Sequence, residues 1–396
     1  MTVYLDHAAT SPLRPEARSA WLAATEFLGN ASSIHGSGQS VRRILEDARE
    51  RLAATLDCDP IEVVFTSGGT EAVNLAVKGL WAARRLTTDA VVLPDGEHHA
   101  TLDAVEWLVH HDGAALRPVA LDPTGAIPVE NFSAALDGAG LATALVANNE
   151  VGTLNDAAGL AGASSAASVP LHLDAVAAFG HVPISFRGWR GDAAGSAGLV
   201  AMSVSGHKVG GPVGVGALVV SRHAALAPQI HGGGQQRGLR AGTQDVAGAA
   251  AFAVAAELAT AERAAEAGRL AGLRDRLAAG VLASVPGAEL LGDPADRLPG
   301  NAHLLFPGAS GETLLFLLDQ AGISVSTGSA CQAGVPEPSH VVLALGRTDA
   351  EARQVLRLTL GRTSTDADVD AVLAALPAAV ERARATASGT RTGARS

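Results

Sequence analysis

LVAMSVSGHKVGGPVGVGALVVS, residues 199–221, reads as two buried strands, LVAMSV (199–204) and VGALVVS (215–221), joined by a turn that carries Ser205, His207 and Lys208. Short apolar runs bounded by Gly and Pro mark strands covered on both faces. The lysine is unusual: of 29 basic residues in the chain, only Lys78 and Lys208 are lysines. An amine kept at a strand end against so strong an arginine preference suits chemistry in which the amine loses its proton, as in a Schiff base with an aldehyde. A surface lysine in a glycine turn is the alternative, and Lys78, on a helix face, has that character.

Outward from this stretch the same punctuation recurs. Strand-like runs appear at EVVF (62–65), VVLP (91–94), TALVAN (143–148) and LHLD (171–174). Between them lie helical patterns, such as 41–56, where Val41, Ile44, Leu45, Ala48 and Leu52 recur at helical spacing. A further helix runs from Thr70 past Lys78. Strands alternating with helices predict an α/β fold with a mostly parallel sheet. With 396 residues the chain exceeds one ordinary core. The reading places a large domain at 15–260 and a small α+β domain at 1–14 plus 261–384. It expects the tail 385–396, ATASGTRTGARS, to be disordered.

A net charge of −11 with no basic stripe argues against direct nucleic-acid binding. The N-terminus has no basic segment followed by an apolar one, and no stretch has the large apolar residues of a membrane span, so a soluble, cytoplasmic protein is expected. Two cysteines, Cys58 and Cys331, make no disulfide framework and fit a reducing compartment. No histidine has cysteine or carboxylate partners at metal-ligand spacing, and no metal site is predicted.

Several residues add chemistry to Lys208. Asp174 is the sole formal charge between Ala157 and Phe186, at a strand end. A carboxylate in such surroundings needs a cation beside it, and a protonated pyridine nitrogen is one; capping a turn is the other reading. The SGGT turn (67–70), with Gly69 and Thr70, offers backbone N–H groups at a helix start to a phosphate. His98 follows a strand and could stack on a flat ring. Cys331 sits in STGSACQAGVPEPSH (326–340), a run of small residues that reads as an exposed loop with a reactive thiol. Arg357 interrupts an apolar run and could hold a carboxylate, or could simply face outward. These parts suggest pyridoxal phosphate, the common aldehyde cofactor and an electron sink.

Taken in order, YLDHAAT (4–10), GNASSIH (29–35), FTSGGTE (65–71), EHHATLD (97–103), NNEVGT (148–153), HLDA (172–175), SGHKVGGPVGVGAL (205–218), HGGGQQRGLRAGT (231–243), STGSAC (326–331) and LRLTLGR (356–362) resemble the cysteine desulfurases of the IscS/NifS type, within the class V aminotransferases. The resemblance implies the type I fold of pyridoxal 5′-phosphate-dependent transferases, with a seven-stranded sheet. It implies that Lys208 holds the cofactor and moves the substrate proton, that Asp174 pairs with the ring nitrogen and that His98 stacks on the ring. Gly69, Thr70, Ser205 and His207 would serve the phosphate, with Thr243 reaching it from the other subunit of a homodimer. Asn149 would lie near cofactor and substrate, and Asn30 and Arg357 would contact L-cysteine. Cys331 would take the sulfur as a persulfide and leave alanine, supplying acceptor or scaffold proteins in iron–sulfur assembly or thio-modification such as tRNA thiolation.

One departure stands out. Where the family carries Gln three residues after the aspartate, this chain has Ala177, which donates no hydrogen bond to the cofactor's ring oxygen. Selenocysteine cleavage, another reaction of the same fold, and a catalytically weak sulfur-transfer scaffold are the alternatives to desulfuration.

Overall fold

The computed structural model describes residues 2–84, 88–328 and 337–393, with side chains to residue 386. Among the described residues twelve strands are formed: β1 (Val3–Tyr4), β2 (Val63–Thr66), β3 (Ala90–Pro94), β4 (Ala115–Val119), β5 (Ala139–Leu145), β6 (Pro170–Asp174), β7 (Gly198–Ser205), β8 (Gly216–Val220), β9 (Glu289–Leu291), β10 (Asn301–Leu305), β11 (Ile323–Ser324) and β12 (Val355–Thr359). Seven make one sheet in the order β2-β8-β7-β6-β5-β3-β4. All neighbours run parallel except β8, which is antiparallel to both β2 and β7. The mostly parallel seven-stranded sheet of the type I fold is therefore present.

Alternation explains why both faces are covered. Val91 and Leu93 pack into one cluster with the helices Gly69–Ala82 and His99–Asp112, while Val92 between them packs into another with Gly36–Leu56 and Ala157–Ala166. Leu218 and Val220 divide from Ala217 and Val219 in the same way. Successive strand residues point to opposite faces, so a strand buried on both sides must be apolar throughout. Strand β4, ALRPV, departs furthest from this composition, and none of the apolar runs covers it. It lies at the sheet edge, where Pro118 leaves no ladder donor unmet and Arg117 reaches the carbonyls of Ala135 and Asp137.

A third apolar cluster joins β10 and β12 to the helices Gly311–Gln320 and Asp366–Gly393. The helix Val246–Ser284 links this cluster to the one that holds Val92, with Leu270 to Val281 in the former and Ala249 to Ala259 in the latter. Strands β9, β10 and β12 form an antiparallel sheet, and β1 pairs with β11, so the N-terminal strip lies against residues more than three hundred positions later. The last helix, Asp366–Gly393, includes residues 385–393 of the stretch expected to be a disordered tail.

Candidate active site

Loops after the parallel strands converge at the carboxyl edge of the sheet, where open α/β sheets form their clefts. There a cavity of about 380 Å³ is lined by Gly69, Thr70, His98, Asn149, Asp174, Ser205, His207 and Lys208, with Arg357 entering from β12. These groups come from sequence positions 69 to 357, and only the fold brings them together.

Lys208 ends the tight turn Gly206–Lys208 that follows β7. Its Nζ donates to the carbonyls of Ala8 and Ala9, the latter at 3.0 Å. Burial, then the Arg357 guanidinium, lowers its pKa to about 8 against the opposing pull of Asp6 and Asp174. Near neutrality a useful fraction of the amine is therefore unprotonated, as a nucleophilic or proton-abstracting amine requires.

Asp174, the last residue of β6, is 3% exposed. Its Oδ1 accepts from Val176 N at 2.9 Å and Ser203 Oγ at 3.0 Å. Burial raises its pKa, opposed by His172, these two donors and Lys208. An aspartate so placed gains most from a cation beside it.

His98 caps the helix His99–Asp112, its Nδ1 accepting from Ala100 N at 3.0 Å. That bond assigns the proton to Nε2. The ring opens to the cavity, yet the surrounding protein, and next Lys208, push its pKa down to about 4. His207 is pushed to about 4 by burial and then by Lys208, and its Nδ1 lies 3.3 Å from Thr10 Oγ1.

The phosphate end fits its expected occupant. Ser205 Oγ is buried without a hydrogen-bond partner. The helix Gly69–Ala82 begins with no side-chain cap, so its first N–H groups and dipole face the cavity. Gly68 takes φ +153, and a Cβ on Gly69 would lie 2.7 Å from Val176 Cγ2, so both positions require glycine. With Lys208 for an aldehyde and Asp174 for a ring nitrogen, the donor set matches pyridoxal phosphate from end to end.

Arg357 is 5% exposed, and its Nη2 pairs with Asp6 Oδ1 while Nη1 donates to Asn149 O, both at 3.0 Å. The guanidinium is thus held in place before any substrate arrives. Asp6 escaped the sequence reading, as did Ser326, Glu150, His99 and His340, which also line the cavity. His340 lies in the quoted 326–340 run, and its Nε2 is 2.9 Å from Glu97 O. Ala177 lines the cavity with its methyl group, where the family's glutamine would donate.

Two expected residues are elsewhere. Asn30 and Thr243 are exposed and do not line this chain's cavity. Cys331 lies outside the described residues. Cys58 is buried, and burial pushes its thiol up to about 12, which leaves it inert. Among the described residues no group of His, Cys, Asp and Glu is arranged to hold a metal, and no helix is long and apolar enough to cross a membrane.

The aminotransferase class-V family model matches residues 3–372. An IscS-like cysteine desulfurase of Mycobacterium tuberculosis is 48% identical over 394 residues, covering 97% of this chain and 98% of the relative. A cysteine desulfurase IscS of Methanosarcina thermophila is 39% identical over 384 residues, covering 96% and 93%. Among solved structures, a NifS-like protein matches with a TM-score of 0.88 at 30% identity, over 96% of this chain and all of that one. A NifS-like protein from Rickettsia africae matches with a TM-score of 0.85 at 26% identity, over 96% and 100%.

Proposed function

From the premise that this chain belongs to the aminotransferase class-V family and is a cysteine desulfurase, we propose that its cavity holds pyridoxal 5′-phosphate on Lys208 and passes the sulfur of L-cysteine to Cys331. The observation that carries this reading is the convergence in one cavity of a lysine with a lowered pKa, a buried aspartate and a pre-held arginine. Bound there, the cofactor supplies an electron sink for the carbanion formed at the substrate's Cα.

The chain's own groups have separate tasks. Arg357 binds the substrate carboxylate, with Asn149 beside it. Lys208 Nζ would hold the cofactor and take the proton from the substrate Cα. Asp174 would pair with the cofactor's ring nitrogen, and neutral His98, which lines the same cavity, would stack on the ring. Thr70, Ser205 and His207 hold the phosphate. The Cys331 thiolate attacks the substrate Sγ, the C–S bond breaks, and protonation of the remaining fragment yields L-alanine and an enzyme persulfide. L-cysteine and a thiol thus give alanine and a persulfide with no outside oxidant or reductant.

In this reading residues 15–260 form the cofactor-holding domain, and 1–14 with 261–384 the smaller one. A homodimer supplies what one chain lacks. Thr243 and Asn30 are exposed away from their own cavity, and the nearby Leu28 and Ile34 are each 91% exposed, a surface suited to a second copy.

The test is alanine release from L-cysteine by the loaded protein. Cys331→Ser and Lys208→Ala are each expected to abolish it, the first with the cofactor spectrum retained and the second with it lost. Release undiminished in Cys331→Ser overturns the assigned sulfur acceptor.

A further inference from the structure

Three adjacent strands place a row of polar side chains under the cavity floor. Thr143 on β5 is in register with His172 on β6, and Asp174, two residues on and so on the same face, is in register with Ser203 on β7. Thr143, His172 and Ser203 are each 0% exposed. On the neighbouring strand β3 the corresponding interior is Val and Leu. Buried polar groups cost stability unless each finds a partner, and here each does.

The bonds fix where every proton lies. Ser203 Oγ donates its one hydrogen to Asp174 Oδ1 at 3.0 Å. The same Oγ lies 3.1 Å from His172 Nε2, so it must accept there and Nε2 must carry a hydrogen. Burial holds the His172 ring neutral, with its pKa down at about 4. Nδ1 is then the acceptor, and Thr143 Oγ1, 3.0 Å away, donates to it. All three donors point toward the Asp174 carboxylate, and aligned hydrogen bonds polarise one another in a low-dielectric interior.

We propose that His172 is a positioning residue which, through Ser203, holds Asp174 ionised and aimed at the ring nitrogen of the cofactor, with Thr143 selecting its tautomer. The proposal rests on the cofactor reading above. Other charged or titratable groups around Asp174 are Lys208 from the turn after β7 and Glu97 and His98 from the segment after β3. Glu97 bonds the backbone of Leu145, and no hydrogen bond links it to Asp174. His172 alone is joined to the carboxylate through a hydrogen-bonded chain.

The experiment follows visible absorbance against pH in the full-length protein loaded with pyridoxal 5′-phosphate. His172→Leu is expected to move the titration midpoint upward by about half a unit or more, because a ring nitrogen less firmly protonated leaves the Lys208-linked nitrogen more basic. His172→Gln, which can still donate to Ser203, should recover most of the shift. In a Ser203→Ala background the leucine substitution should add nothing, since the link is already cut. Met202→Leu, a buried change on the opposite face of β7, serves as the packing control. An unmoved midpoint in His172→Leu, an equal shift in Met202→Leu, or full additivity with Ser203→Ala overturns the relay. If His172→Leu does not fold, Thr143→Val decides: it removes only the hydroxyl, and a midpoint identical to wild type overturns the proposal. A wild type that takes up no cofactor overturns the underlying reading itself, and the relay falls with it.

Discussion

The seven-stranded and the three-stranded sheet serve the cavity in different ways. The seven-stranded sheet delivers its groups at strand ends: Gly69, His98, Asn149 and Lys208 follow β2, β3, β5 and β7, and Asp174 closes β6. The antiparallel sheet delivers Arg357 from the middle of β12, opposite His303 on β10. Asp174, at a parallel strand end, is oriented by Val176 N two residues on and by Ser203 Oγ on the next strand, while Lys208 leaves its own turn to reach the carbonyls of Ala8 and Ala9. Arg357, a long side chain leaving mid-strand, is oriented instead by Asn149 O, 208 residues away, and Asp6, 351 residues away. In the proposed reading the cofactor would be held mainly from the large sheet, with the N-terminal strip against Lys208, while substrate binding would depend on how the two parts of the molecule meet.

The sharpest break of that contrast is Lys208→Ala on the large-sheet side. Alanine release should fall by at least about a thousandfold, since both covalent attachment and proton transfer are removed. The same amine predicts a pH effect: cofactor uptake by the stripped protein should accelerate as pH rises, pass its half-maximum near 8, where half of Nζ is neutral, and then level off. A plateau delayed to pH 10, the range of an ordinary lysine, would contradict the burial argument. On the small-sheet side, Arg357→Leu should raise KM for L-cysteine about a hundredfold, the loss expected for a charge-assisted pair, with the cofactor spectrum unchanged. Asp6→Asn should raise KM only a few-fold and leave kcat nearly intact, because it loosens the guanidinium without removing it. If Asp6→Asn proves as severe as Arg357→Leu, the aspartate does more than orient. The smallest effects return to the large sheet. Ala177→Gln should shift the cofactor's pH titration while changing turnover modestly. Cys58→Ala should cost about 1 kcal/mol in urea unfolding and nothing in activity.

Much of the carboxyl edge was legible because its residues are chemically odd where they stand. A scarce lysine in a glycine turn, a solitary aspartate in an uncharged stretch and glycines before a helix start each carry a local signal. The edge strand β4 carried none, since Arg117 and Pro118 are tolerated only where one side of the ladder is open, and edge position cannot be read from five residues. Asp6 stood in plain view in YLDHAAT, yet nothing local ties it to Arg357. His172 likewise reads as an ordinary strand residue until Thr143 and Ser203 are set on either side of it.

The sequence by itself determined the alternation of strands and helices, the family, and which side chains have chemistry to offer, because apolar periodicity, turn residues and isolated charges act over a few positions. Only the tertiary structure decided that Arg357 is held by Asp6, that the Lys208 amine has a lowered pKa, and that Asp174 is fed by a row of donors. Those properties arise from burial and from contacts between distant strands, and desolvation and hydrogen bonding depend on what surrounds a group in space rather than along the chain.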